Sequence, residues 1–176
     1  MVEFNSIAAG IDAADQMVKT AQVDPLFFKT ICPGKFVAAV TGDVAAVSAS
    51  VNAGGETHAD ALVDWFIIPN IHRDVIGALA GATGITERGA LGIIETFSAA
   101  SIVVASDAAV KAADVQLLDV RVALGLGGKG YALMTGDVAA VNAAVEAGST
   151  AAAESGLLVS KVVIPSPAET VFEQIA

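Results

Sequence analysis

One seven-residue string occurs twice in this chain. Thr41-Gly42-Asp43-Val44-Ala45-Ala46-Val47 returns 94 positions later as Thr135-Gly136-Asp137-Val138-Ala139-Ala140-Val141. Upstream, Val2-Glu3 matches Ile94-Glu95, Ser6 matches Ser98, Asp15 matches Asp107, and Val18-Lys19 matches Val110-Lys111, all at a spacing of 92. Downstream, Ile68-Pro69 matches Ile164-Pro165 at a spacing of 96. The matches are colinear and the spacing drifts by small loop insertions. Solenoid units repeat every ~20–50 residues, so this period signifies two copies of one small domain instead. The expected division is a first domain over 1–80, a Gly/Thr-rich linker over 81–90 and a second domain over 91–176.

Each copy reads as βαββαβα. In the second copy, strands are predicted over 90–97, 115–124, 131–135 and 157–164, the third and fourth separated by a helix that Asp137 opens and Gly148 stops. An Ala-rich helix covers 99–113, and a short helix follows Pro165-Ser166-Pro167. The first copy repeats the order: a strand to Asn5, a helix over 10–21, strands over 23–31 and 36–41, a helix over 43–53, a strand over 62–68 and a helix over 72–80. Its first strand should be short, by nature or because the start is trimmed, since nothing before Val2 corresponds to Ala90-Leu91-Gly92. Four strands with helices packed on one face make a ferredoxin-like α+β layer.

Composition narrows the function. The chain has one cysteine among 176 residues, which excludes an internal disulfide framework. A formal net charge of −10, with nine Lys+Arg, disfavours a nucleic-acid backbone as partner. Mean hydropathy is +0.68, high for a water-exposed chain, but charged or helix-breaking residues interrupt every apolar stretch before the ~18 residues a membrane span needs. No signal peptide opens the chain, and a cytoplasmic location is expected. An apolar content dominated by Ala and Val suits side chains buried between subunits as well as within them.

Gly-Ile-Ile-Glu-Thr (92–96), Asp107-Ala108-Ala109-Val110-Lys111, Gly136-Asp137-Val138 and Ile164-Pro165-Ser166-Pro167 together resemble the bacterial microcompartment shell domain, and the resemblance spans both copies. The tandem arrangement with Ile31-Cys32-Pro33-Gly34-Lys35-Phe36 is similar to the T-type tandem shell proteins of propanediol-utilization compartments. The resemblance implies a homotrimer that imitates a hexamer, tiles with other shell proteins by lateral contacts, serves as a structural protein and not an enzyme, and faces luminal redox enzymes. It also implies that the loop between the second and third strands lines a central pore, which places Pro33, Gly34 and Lys35 there from the first copy and Gly125, Leu126, Gly127, Gly128 and Lys129 from the second. It implies a [4Fe–4S] cluster at that pore, held by Cys32 from each of three chains.

The residues themselves fit that expectation. Cys32 lies between a β-branched strand and a Pro-Gly turn, at a loop tip. One thiolate cannot hold a cluster that takes about four protein ligands, but threefold symmetry supplies three. Lys35 and Lys129 are candidates to offset the cluster's negative charge. The run Gly125–Gly130 is no phosphate loop, since no Ser/Thr follows Lys129 and a strand follows where a helix is needed. Small residues there suit loops that converge on an axis. Lys19 and Lys111 hold matching helix positions, which in the family lie along the tile edge. The family's arginine in the later proline segment is replaced here by Asn70 and Ser166. Glu3 and Glu95 are expected to make buried or interface hydrogen bonds. His72 is expected to cap or pack against the final helix of the first copy, His58 to be solvated at a helix end, and Trp65 and Phe66 to pack. The competing readings are a trimeric sensor binding a metabolite between subunits, a shell tile with an open metabolite pore and no cluster, and an enzyme with Cys32 as nucleophile. The last needs a base beside the thiol, and neither histidine falls in a recognisable cysteine–histidine signature.

Overall fold

The computed structural model describes residues 1–84, 88–122, 127–154 and 157–175. They form two compact units, Met1–Asn70 and Ile71–Ala176. Unit 1 contains β1 (Val2–Phe4), α1 (Ile7–Thr20), β2 (Asp24–Ile31), β3 (Lys35–Thr41), α2 (Val44–Thr57) and β4 (Leu62–Trp65). Unit 2 begins with α3 (Arg73–Leu79) and continues with β5 (Ala90–Thr96), α4 (Ala99–Ala112), β6 (Gln116–Val122), β7 (Gly130–Gly136), α5 (Val138–Glu154), β8 (Leu158–Ile164) and α6 (Glu169–Ile175). Each unit has one antiparallel four-stranded sheet, ordered β2-β3-β1-β4 and β6-β7-β5-β8, the ferredoxin-like arrangement in both. The first strand is three residues long and its counterpart β5 seven.

The expected boundary at 80 and the compact units differ at one element. Unit 1 ends at Asn70, and α3, the last helix of the first copy in sequence, packs against β6 and α4 of unit 2. His72 caps this helix, its Nδ1 accepting from Asp74 N at 3.3 Å.

Matching caps start matching helices. The Ser6 hydroxyl accepts from Ala9 N at 3.3 Å before α1, and Ser98 accepts from Ser101 N at 2.9 Å before α4. Asp43 accepts from Ala45 N at 2.9 Å before α2. Each such cap satisfies a helix-end donor and is worth ~1 kcal/mol. The core of unit 1 lies between its helices and the inner face of its sheet, where Val2, Phe4, Phe36 and Ala38 meet Ala13, Met17 and Val51.

Gly148 does not stop α5. The helix runs on to Glu154, and Gly148 is buried within it. A Cβ at this position would lie 2.6 Å from the Ala105 carbonyl oxygen and 2.6 Å from Ile94 Cδ1. Its repeat counterpart Gly54 sits inside α2, where a Cβ would meet Met17 Cγ at 2.5 Å. In both copies the glycine lets two helices approach closely, and that packing overrides its usual role as a terminator.

The copies also solve one packing problem in opposite ways. In unit 1, Gly10 on α1 faces Phe36 on β3, and a Cβ on Gly10 would fall 2.6 Å from Phe36 Cβ. In unit 2 the matching helix residue is Ile102 and the matching strand residue Gly130, whose added Cβ would fall 2.6 Å from Ile102 Cγ2. The large side chain has changed layers while the summed volume is nearly kept. Gly10→Ile alone should therefore destabilise the protein by about 3 kcal/mol in urea denaturation, as overpacking does. Adding Phe36→Gly should recover part of that loss, so that the double variant is more stable than the sum of the single changes.

Candidate functional site

The two strand-2-to-strand-3 hairpins carry the chemically distinctive residues. In unit 1 the last ladder pair is Ile31↔Lys35, which leaves Cys32-Pro33-Gly34 as a three-residue loop. The Cys32–Pro33 peptide is cis, and Gly34 has φ +74°, a left-handed conformation that favours glycine. A Cβ on Gly34 would meet nothing within 4 Å, so the loop tip is open. Cys32 is half-buried, and its thiol is free. In unit 2 the corresponding hairpin joins β6 to β7, with Val122↔Gly130 as its last described pair. Gly127 and Gly128 have φ +61° and +90°. Gly125 and Leu126 lie outside the described residues.

Each hairpin is anchored by an ion pair that the repeat conserves between copies. Lys35 Nζ lies 2.7 Å from Glu3 Oε1, and Lys129 Nζ lies 2.9 Å from Glu95 Oε1. Glu3 and Glu95 thus have the hydrogen-bond partners the sequence led us to expect. The two lysines, by contrast, are not spare cations awaiting a cluster: each already neutralises a carboxylate of the adjacent strand. The Glu3 side chain is only 8% exposed, so Lys35 compensates a buried charge, whereas Glu95 at 33% keeps more water. Lys129 also lies 5.6 Å from the centroid of the exposed Phe97 ring.

The matched helix lysines are placed at the last turns of α1 and α4. Lys19 pairs with Asp15 at 2.5 Å, and Lys111 with Asp107 at 2.5 Å. The Asp107 carboxylate has a second task, accepting from His72 N at 2.8 Å and so tying α3 to α4. His58 ends α2 and pairs with Asp12 at 2.8 Å. Trp65 does not pack as expected: it is half exposed on β4, a strand at the border of its sheet.

One constellation escaped the sequence reading. On the sheet face away from α4 and α5, Arg121 Nε donates to both Asp119 oxygens at 3.0 and 2.7 Å, and the Tyr131 hydroxyl donates to Asp119 Oδ2 at 3.1 Å. Asp119 raises the Arg121 pKa, while burial, helped by Asp119, pushes the Tyr131 phenol up. These residues line a cleft of about 620 Å³ with Glu95, Ile93 and Ile175. The ladder registers equate them with Phe27, Lys29 and Val37 of unit 1, so the copies differ here in kind. That difference between aligned repeats was the available signal. Among the described residues no three His, Cys, Asp or Glu side chains gather as a metal site within one chain.

The BMC domain family model matches residues 1–71 and again 90–167. This chain belongs to that family, as a tandem of two BMC domains. It is 46% identical to the bacterial microcompartment shell protein PduT of Citrobacter freundii, over 99% of this chain and 95% of that protein. The shell protein EutM of Escherichia coli is 51% identical over 78 residues, 44% of this chain but 78% of EutM. A crystal structure of a microcompartment protein from Desulfitobacterium hafniense superposes with a TM-score of 0.94 and 52% identity, covering 98% of this chain and 96% of that one. The BMC tandem described here is a structural shell protein of a microcompartment, not an enzyme. No described helix is long and apolar enough to cross a membrane.

The anchoring pairs give a direct test. Lys35→Met strands the buried Glu3 carboxylate and should cost about 3 kcal/mol in chemical denaturation. Lys129→Met should cost less, about 1 kcal/mol, because Glu95 is better hydrated.

Proposed function

We propose that this BMC tandem forms a homotrimeric tile that imitates a hexamer, with the two hairpin tips of each chain lining a central pore. Cys32 carries the proposal: the chain's one cysteine stands on an open loop tip at the position that the family places around the pore. Three symmetry-related Cys32 thiolates would hold a [4Fe–4S] cluster there, leaving one iron to a non-cysteine ligand. The donor set fits this group only in a threefold assembly, since one chain brings a single thiol. Such a cluster would supply one-electron transfer to luminal redox enzymes; the other role for the same Cys32 ligands would be to hold a cluster that is itself passed across the shell. Pro33 and Gly34 shape the tip, and Lys35 holds its base to Glu3.

One observation favours a second reading, a tile with an open metabolite pore. Lys35 and Lys129 are both neutralised by glutamates, so they bring no excess positive charge to balance a cluster. Anaerobic purification separates the two. The cluster reading expects about four irons and four sulfides per three chains, with a broad absorption near 400 nm that Cys32→Ser abolishes while the trimer mass persists. Wild-type trimers free of iron and sulfide would leave the open pore.

The lateral contacts are assigned to Lys19 and Lys111. Both side chains are at least two-fifths exposed on helix ends. Lys19→Ala with Lys111→Ala should leave the trimer intact and reduce sheet formation, as seen by electron microscopy. Sheets of normal extent would remove these lysines from the tile edge.

A further inference from the structure

The polar constellation on β6 and β7 has no part in the pore loops or the tile edge. It borders the cleft of about 620 Å³ in unit 2. That volume falls within the ~300–1,000 Å³ of small-molecule sites, which pair apolar walls with a few placed polar groups. Ile93, Leu133 and Ile175 supply the apolar wall here.

The Arg121 guanidinium is held but not used up. Its Nε donates to both oxygens of Asp119, and the Tyr131 hydroxyl donates to the same carboxylate. The Asp119 side chain is 14% exposed and that of Arg121 58%, so the better buried partner fixes the outer one. The raised pKa of Tyr131 keeps its phenol protonated as that donor. Among the described residues the two terminal nitrogens of Arg121 have no partner. A guanidinium is a planar fork, so its outer edge keeps a pair of parallel N–H donors, the geometry that matches a carboxylate.

Charge in the cleft is balanced. Asp119 neutralises Arg121, and Glu95 on the same wall is paired with Lys129 at 2.9 Å. An incoming anion therefore gains directed hydrogen bonds but little net attraction, and needs apolar burial as well. A bare small anion is better left in water. Unit 1 has no such site: the matching positions are Phe27, Lys29 and Val37, with Lys29 4.2 Å from the Phe27 centroid and Val37 fully buried.

We propose that this cleft binds a small aliphatic carboxylate, with its two oxygens on the terminal nitrogens of Arg121 and its chain against Ile93, Leu133 and Ile175. Asp119 and Tyr131 are positioning residues that act through Arg121. Glu95 belongs both to the cleft and to the anchor of the second hairpin, so the ligand sits beside the base of that hairpin. The site lies within unit 2, goes beyond the tile reading and does not depend on a cluster.

The test is calorimetric titration of the full chain with hexanoate, butyrate and hexanol, with circular dichroism to confirm that each variant folds. Hexanoate should bind. Butyrate should bind less tightly, since each methylene at full burial is worth up to about fourfold. Hexanol, with the same chain and no carboxylate, should bind about tenfold less tightly than hexanoate, the worth of a charge-assisted hydrogen bond. Arg121→Gln should weaken hexanoate about tenfold and leave hexanol unchanged. Tyr131→Phe should weaken hexanoate severalfold, again without an effect on hexanol, a split that general loosening of the sheet would not produce. Ile175→Ser on α6 should weaken hexanoate from the apolar side, and it carries the test should Arg121→Gln not fold. Cys32→Ser should bind hexanoate as wild type does. No binding of hexanoate, hexanol binding as tightly as hexanoate, or full affinity in Arg121→Gln would overturn the site. Loss of binding in Cys32→Ser would overturn it too, by moving the ligand to the first hairpin.

Discussion

A ferredoxin-like layer with two helices over four strands leaves part of its sheet uncovered, and this chain meets that constraint with a third helix. In unit 2 the open border beside α4 is closed by α3, a helix encoded at the end of the preceding copy. Closure is not a simple apolar contact. The Asp107 carboxylate receives a backbone N–H at the start of α3 and the ammonium of Lys111, so a mostly buried carboxylate is satisfied from two directions. Duplication of the gene segment thus placed a covering element and its acceptor in one chain, in one direction only.

The hairpin tips depend on a second constraint, which is charge. A carboxylate as enclosed as that of Glu3 is costly unless paired. Lys35 meets that need from the residue just after the Cys32-Pro33-Gly34 loop, so the pair fixes where the loop leaves the sheet. The same pair recurs at Glu95 and Lys129, although the loops between differ in length and chemistry. The anchors are common to both copies and the tips are free to diverge. A cysteine can then be carried by one hairpin and glycines by the other without disturbing either sheet.

Much of this was legible in the residue order. The repeat revealed two domains, the alternation and caps revealed βαββαβα, and the Cys-Pro-Gly-Lys string marked the loop tip. The misreadings share a cause. The local conformational preference of Gly148 points to a helix stop, but its reason for being there is a helix crossing with Ala105 on α4, distant in sequence. Trp65 is expected to pack as a strand residue, but whether it packs depends on what lies beside β4. Asp119, Arg121 and Tyr131 are scattered over two strands, and only the β6–β7 register brings them within hydrogen-bond reach. Local signals state what a segment prefers; they do not state which distant surface it will meet.

The differences between the copies are therefore more informative than their likeness. Gly10 with Phe36 and Ile102 with Gly130 are differences that cancel, because each pair fills one interlayer gap. Phe27, Lys29 and Val37 against Asp119, Arg121 and Tyr131 do not cancel. Lys29 lies over the Phe27 ring in unit 1 and Val37 is fully buried, whereas unit 2 holds a hydrogen-bonded polar cleft. A single-domain tile repeated six times must present the same side chains six times around its axis. A tandem repeated three times can alternate two kinds of surface and two kinds of pore loop while keeping one fold. In the proposed trimer that freedom would let one cysteine position appear three times around a pore, the number a cluster with one open iron requires.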